Sequence, residues 1–177
     1  MKYSSLLPIV YLLFSGCIKK ELPEPRHISA ALKNGVYWNA EARAGVDSKT
    51  GETIGLSFSY YNDAKFRRES VYVSGIPKKV GVYQVQPGHP GGGGVTARYF
   101  VFLEGDLDAG TWRIDDDAPV SQVEINYLDE KKGMVSGSFH LEFAVDSTSI
   151  VNSYYLEAGE DARVIFEKGS FSARINQ

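Results

Sequence analysis

Between residues 122 and 145 two alternating runs meet at a polar turn, and that pattern leaves little choice of local structure. Val123, Ile125 and Tyr127 alternate with Gln122, Glu124 and Asn126. Residues 129–133 (DEKKG) break the run. Val135, Gly137, Phe139, Leu141, Phe143 and Val145 then alternate with Ser136, Ser138, His140, Glu142 and Ala144. A period of two puts successive side chains on opposite faces of a strand, whereas a helix would scatter the same residues around its axis. A five-residue link ending in glycine suits a hairpin with a left-handed position at its end. Phe139 belongs to the apolar face and is expected in the core.

The same device recurs along the chain from residue 28 to residue 175. Trp38, Ala40, Ala42 and Ala44 take every second place, with Tyr37, Asn39, Glu41 and Arg43 between them. Residues 45–52 are rich in turn formers, and Ile54, Leu56, Phe58 and Tyr60 then alternate with Gly55, Ser57 and Ser59, giving a second hairpin. Residues 62–69 are charged and read as a loop with room for a helical turn. Lys65, Arg67 and Arg68 form a small basic cluster there, expected to be solvated. Residues 70–76 form a strand stopped by Pro77, and residues 81–85 a short one. Residues 87–94 (PGHPGGGG) form a loop. Residues 95–103 are apolar on both faces toward their end, which predicts a central strand covered on both sides. Residues 111–114 read as a short edge strand. Residues 164–166 and 171–175 form a last strand pair, or one strand bent at Gly169.

No segment keeps a 3.6-residue period over a helical length, and no repeat is present. About nine or ten short strands at regular spacing predict an all-β, antiparallel sandwich or barrel, a calycin-like barrel included. Loop spacing leaves sandwich and barrel both open.

The N-terminus is an address. Residues 1–17 read MKYSSLLPIVYLLFSGC. Lys2 precedes an apolar run over residues 6–14, far shorter than the about 20 residues a spanning helix needs. It fits the apolar region of a signal peptide. Ser15 and Gly16 then stand before Cys17, the one cysteine of the chain. The string resembles the bacterial lipobox, with Phe14 where leucine is usual. It implies that residues 1–16 are removed and Cys17 is acylated. Several acyl chains hold a protein stably on a membrane where one does so marginally. Residues 17–27, with Pro23 and Pro25, read as an extended linker. Lys20 followed by Glu21 resembles the export signal of surface-exposed Bacteroidota lipoproteins. The expected organisation is a signal peptide (1–16), a lipid-anchored linker (17–27) and one all-β domain (28–177). The expected place is the bacterial envelope, as an outer-membrane lipoprotein facing either the periplasm or the surface.

Four short strings add a resemblance. They are Asn34-Gly35-Val36-Tyr37-Trp38, Gly81-Val82-Tyr83, the run from Gly133 to Phe139 (GMVSGSF), and the run from Phe166 to Phe171 (FEKGSF). Their order, behind a lipobox, resembles a family of domains of unknown function found in Bacteroidota lipoproteins. The resemblance implies an all-β fold and an envelope location, and it transfers no activity. From the residues alone, Gly137 and Gly169 suit bulges or close backbone approach, and Phe139 and Phe171 face the core. Trp38 is either a core anchor or a platform for a ligand.

Chemistry is harder to find. With 19 Lys+Arg against 22 Asp+Glu the chain has net charge −3, which argues against a nucleic-acid partner. One cysteine forms neither an internal disulfide nor a cysteine-based zinc site. His27 lies in the tether, His89 in the glycine-rich loop and His140 on a polar strand face. No Gly-x-Ser-x-Gly elbow accompanies them, so no nucleophilic triad is expected. The run after His89 precedes a strand instead of a helix, so it is not read as a phosphate cradle. Asp106, Asp108 and Asp115 could begin a calcium site, yet the remaining oxygen ligands are missing. Glu124 and Glu142 occupy polar faces of paired strands and read as exposed. Glu157 completes no pair with either of them. Neither a cofactor nor an enzymatic activity is therefore expected. Tyr60, Tyr61, Tyr154 and Tyr155, with Trp38, could form an aromatic contact surface, although tyrosine also favours strands for packing. The expectation is a non-catalytic envelope module that binds a glycan or a protein partner. The alternative is a calycin-like carrier of a small apolar ligand.

Overall fold

The alternating runs become ten strands: β1 (Ile28–Lys33), β2 (Val36–Val46), β3 (Thr53–Tyr61), β4 (Arg67–Pro77), β5 (Gly81–Gln84), β6 (Thr96–Phe102), β7 (Asp108–Ile114), β8 (Gln122–Asp129), β9 (Met134–Val145) and β10 (Arg163–Asn176). The structure, a computed structural model, describes residues 27–88, 93–103, 107–118, 120–146 and 162–176, and no helix occurs among them. Cys17, Tyr154, Tyr155, Asp106, His89 and Glu157 lie outside the described residues.

The strands form one sheet that closes into a ring. Neighbours run β2–β3–β4–β6–β7–β9–β10, each pair antiparallel. β10 then returns to β2, pairing with it in parallel at Ile175↔Ala44 and Asn176↔Gly45. Elsewhere β1 fills the gap, antiparallel to both β10 and β2. The first part of β9 pairs with β8, and β8 with β5. The chain just after β5 is fastened to the start of β6, where the Gln86 N–H donates to Val95 O at 2.8 Å. Closure removes the exposed edges of the strands in the ring, whereas β5 keeps one strand partner, β8. The all-β expectation thus holds, in its barrel-like form.

Three local readings change. Residues 62–69 hold no helical turn: Asn62 Oδ1 accepts the Phe66 N–H at 2.9 Å, Lys65 takes a left-handed φ of 66°, and β4 begins at Arg67. Residues 111–114 are not an edge. They belong to β7, which lies between β6 and β9, and Trp112 is fully buried. β10 is one strand, with a register shift between Phe166 and Gly169.

The interior is filled by rings. Phe58 stacks on Phe139 with centroids 4.9 Å apart, and Phe171 packs on both. A second group joins Trp38, Phe166, Tyr99, Trp112 and Phe143, mostly tilted or edge-on, the arrangement favoured by ring quadrupoles. Two glycines make this closeness possible. A Cβ on Gly169 would sit 2.5 Å from the Phe139 ring, and one on Gly137 would sit 1.8 Å from the Glu124 carbonyl oxygen. The turn between β8 and β9 ends at Gly133 with φ 62°, the left-handed position that glycine adopts without steric cost.

Candidate functional site

The outer face of β3, β4 and β6 carries a groove of about 700 Å³. Strand parity creates it. Leu56, Val73 and Ala97 point inward and are buried, so Ser57, Tyr72, Ser74, Arg98 and Phe100 point outward. The floor is made of small residues: Gly45, Gly55, Ser57, Ser74 and Thr96. Small side chains let a ligand approach the sheet closely. Ser74 Oγ and Thr96 Oγ1 lie 3.0 Å apart and share a hydrogen bond. The register aligns Arg43, Ser57, Tyr72 and Arg98 in one row across β2, β3, β4 and β6. Three strand spacings put the ends of that row roughly 14 Å apart.

Aromatic rings line one side. Phe100 meets Tyr72 edge-on at 5.5 Å and stacks on Phe102 at 6.3 Å. Phe102 is buried but belongs to no part of the interior cluster. Its other neighbour is Arg67, whose guanidinium carbon lies 4.0 Å from the Phe102 ring centroid. Phe100 and Phe102 are two residues apart on β6 and so share its outer face, where their rings stack. The basic cluster read as a solvated loop is therefore corrected. Arg67 and Arg68 begin β4, Arg67 stacks on a ring, and Arg68 donates to the Leu103 carbonyl. Of the three basic residues, Lys65 alone stays exposed in the loop.

The three arginines of the groove differ in partners. Arg43 pairs with Glu41 at 2.9 Å, and the first cause of its raised pKa is the hydrogen bond to that carboxylate. Arg98 Nη1 reaches Asp146 Oδ2 at 3.3 Å. Arg67 has no carboxylate within ion-pair distance among the described residues. Its Nη1 lies 3.4 Å from the Tyr72 hydroxyl, and its buried Nε has no partner there.

The sequence-derived aromatic residues gather elsewhere. Trp38 and Tyr60 line a cleft of about 530 Å³ with Tyr37, Lys33 and Glu69. Tyr60 and Tyr61 line a second, of about 490 Å³, with Tyr37, Asn39 and Glu41. Trp38 itself is a core anchor: it is buried, packs against Phe166 at 4.9 Å, and donates through Nε1 to Glu69 Oε2 at 3.0 Å. Lys33 Nζ bonds both Glu69 Oε1 at 3.1 Å and the Tyr99 hydroxyl at 2.7 Å. The polar groups of the first cleft thus satisfy one another.

The carboxylates resolve into separate roles. Glu142 is buried and not exposed as its strand face suggested. His140 Nε2 donates to Glu142 Oε1 at 2.9 Å, and Arg163 Nη2 donates to Oε2 at 2.5 Å. These bonds, the His140 bond first, hold the Glu142 carboxyl below its ordinary range against the opposing effect of burial. Arg163 also reaches Asp115 Oδ2 at 3.2 Å, so Asp115 is held by an ion pair. The Ser121 hydroxyl accepts the Glu142 N–H at 3.0 Å. Among the described residues no hydrogen bond joins Ser121 to His140, as a nucleophile–base pair would need. Glu124 accepts the Ser138 hydroxyl at 3.0 Å. Asp108 accepts the Gly110 N–H at 3.2 Å and the Thr111 hydroxyl at 3.4 Å. The structure thus gives Asp108 and Asp115 other partners, and no three metal-ligating side chains gather among the described residues.

Sequence reasoning missed Tyr72, Phe100, Phe102 and Arg67 as a site. One signal was present. Residues 95–103 are apolar on both faces, and in a closed barrel one of those faces must turn outward. No family model, no curated protein and no solved structure matches the chain.

Proposed function

We propose that the chain is an envelope lipoprotein, tethered through Cys17, whose barrel is a non-catalytic binding module for a glycan. The ligand lies in the outer groove over β3, β4 and β6. The observation that carries this reading is the composition of the groove: rings of Tyr72 and Phe100 beside a floor of glycine and hydroxyl side chains, with guanidinium groups at intervals. A sugar ring has an apolar C–H face and a rim of hydroxyls. An aromatic side chain packs on the face, and Arg, Ser and Thr donors and acceptors read the rim. A volume of about 700 Å³ is of the size that holds a small ligand or an oligosaccharide segment. The clefts around Tyr60 serve this role less well, because Lys33, Glu69 and Trp38 already bond to one another.

Surface binding is favoured over internal carriage because Trp112, Tyr99, Phe58, Phe143 and Phe166 occupy the barrel interior. The envelope location and the kinship with Bacteroidota lipoprotein domains rest on the N-terminal string and the four short motifs.

The test is retention of purified full-length protein, in detergent, on an array of neutral and acidic glycans. Binding that is lost in Phe100→Ala, with the melting transition largely kept, is the expected result. Retention of no glycan, with a specific protein partner captured instead, overturns the reading.

A further inference from the structure

We infer that the ligand of the outer groove is a glycan bearing a carboxylate, and that Arg67 binds it; the inference rests on the reading of that groove as a glycan site. The three arginines there are not equivalent. Arg43 already faces Glu41 and Arg98 faces Asp146. Arg67 presents its charge to the groove with no carboxylate in reach among the described residues, and its Nε is buried without a hydrogen-bond partner. A cation that faces a groove with no counter-charge in reach favours an anion there. An acidic ligand supplies it.

The geometry sets the form of that ligand. Phe102 covers one face of the guanidinium at 4.0 Å, which leaves the edge of the planar fork for in-plane acceptors. A carboxylate matches such a fork through two parallel N–H···O bonds. The Tyr72 hydroxyl lies 3.4 Å from Nη1 and adds an O–H donor beside it. Asp108 lines the same groove. A doubly charged phosphate meets more repulsion from it than a singly charged carboxylate does. The saccharide part of the ligand is held by Phe100 and by the hydroxyl floor, as the glycan reading requires.

The experiment compares oligogalacturonate, whose units carry carboxylates, with the same chain as its methyl ester, using full-length protein in detergent. Calorimetry is expected to give at least about tenfold tighter binding of the acid form, weakening as salt is raised. Arg67→Met keeps the apolar stem over Phe102. It is expected to erase the preference, so that acid and ester bind alike. Arg67→Lys keeps the charge without the fork and is expected to retain only part of the preference; it also serves if Arg67→Met melts early. Equal binding of acid and ester by the unaltered protein overturns the inference and leaves the glycan reading standing. A preference that survives in both variants overturns the role of Arg67. A sulfated chain bound in place of oligogalacturonate overturns the carboxylate. Binding of no chain, neutral or acidic, overturns both the inference and the glycan reading.

Discussion

The two faces of β3, β4 and β6 are built from the same strands and have opposite characters. Inward they carry Leu56, Phe58, Val71, Val73, Ala97 and Tyr99, all at 3% exposure or less. Outward they carry Ser57, Tyr72, Ser74, Arg98 and Phe100, which line the groove, and Ser59 and Ser70, which are buried and share a hydrogen bond at 2.9 Å. The inner set interlocks with rings from β7, β9 and β10, so each side chain has many partners that cannot move aside. The outer set is small hydroxyls with a few large groups standing above them. Small residues on an outward face contribute little to a core, and their benefit is access. On the proposed reading of the groove, stability and recognition are divided by face here, one residue apart along each strand. Damage inside should unfold the barrel, and damage outside should leave a folded barrel that reads its ligand poorly.

Trp112→Ala should give the largest effect. Trp112 is fully buried and packs on Tyr99 at 5.2 Å, and truncating such a ring costs about 3–5 kcal/mol in transfer and cavity terms. Denaturant titration followed by fluorescence or circular dichroism measures it. A cost under about 1 kcal/mol would mean a loosely filled interior, and the division by face would fail. Gly137→Ala comes next. Its Cβ would meet the Glu124 carbonyl oxygen at 1.8 Å, so β8 and β9 must separate locally. Overpacking of this kind costs about 1–3 kcal/mol, occasionally more. Slowed amide exchange protection in β8 and β9 should be lost first, with the ladder between β2 and β3 largely kept. Uniform loss across the barrel would show that the ring unfolds only as a unit.

The strands were legible wherever one face is apolar and the other polar. Val123, Ile125, Phe139 and Leu141 announce their hairpin because the period of two is uninterrupted. β1 was not legible as a separate strand, since Ser29, Ala30 and Ala31 carry weak contrast. It exists because β10 and β2 both offer it hydrogen bonds. Closure was not legible either, because it depends on pairing between residues such as Ala44 and Ile175 that are distant in sequence. The groove was hidden for a different reason. Phe100 and Phe102 sit in a continuous apolar run, which reads as core from both sides. Arg67 was assigned to a loop because charge outweighed its position at the head of β4. The aromatic residues that sequence favoured, Trp38 and Tyr60, do share a cleft, but Trp38 is a buried anchor there.

Phe100→Ala separates the two faces with one variant. Its ring is half-buried, packing edge-on against Tyr72 and stacked on Phe102. Losing such pairs costs about 1 kcal/mol, well short of the Trp112 effect. Chemical denaturation should show that small cost while glycan retention disappears. A cost as large as that of Trp112→Ala would make the outer aromatic group a second core, and the groove would then be a by-product of packing.

The smallest effect concerns outward groups that have found partners within the fold, in contrast to Arg67. Glu142 lies on the outward face of β9 between Leu141 and Phe143, held by His140 and Arg163. Because its folded-state pKa is depressed, the unfolded chain takes up the proton first as pH falls. The carboxylate therefore stabilises the fold fully above the ordinary glutamate range. That contribution is lost as pH drops through the folded value, which lies below it. Arg163 is half exposed, so solvent screening keeps the effect modest. Melting temperatures of the unaltered protein and Glu142→Gln should differ at neutral pH and converge in acid. If the difference persists unchanged in acid, the contribution of Glu142 is its shape and neutral hydrogen bonds, and its charge adds nothing. The contrast with Arg67 would then rest on burial alone. Convergence instead places Glu142 among charges satisfied by the protein, in contrast to Arg67, which has no carboxylate within ion-pair distance among the described residues.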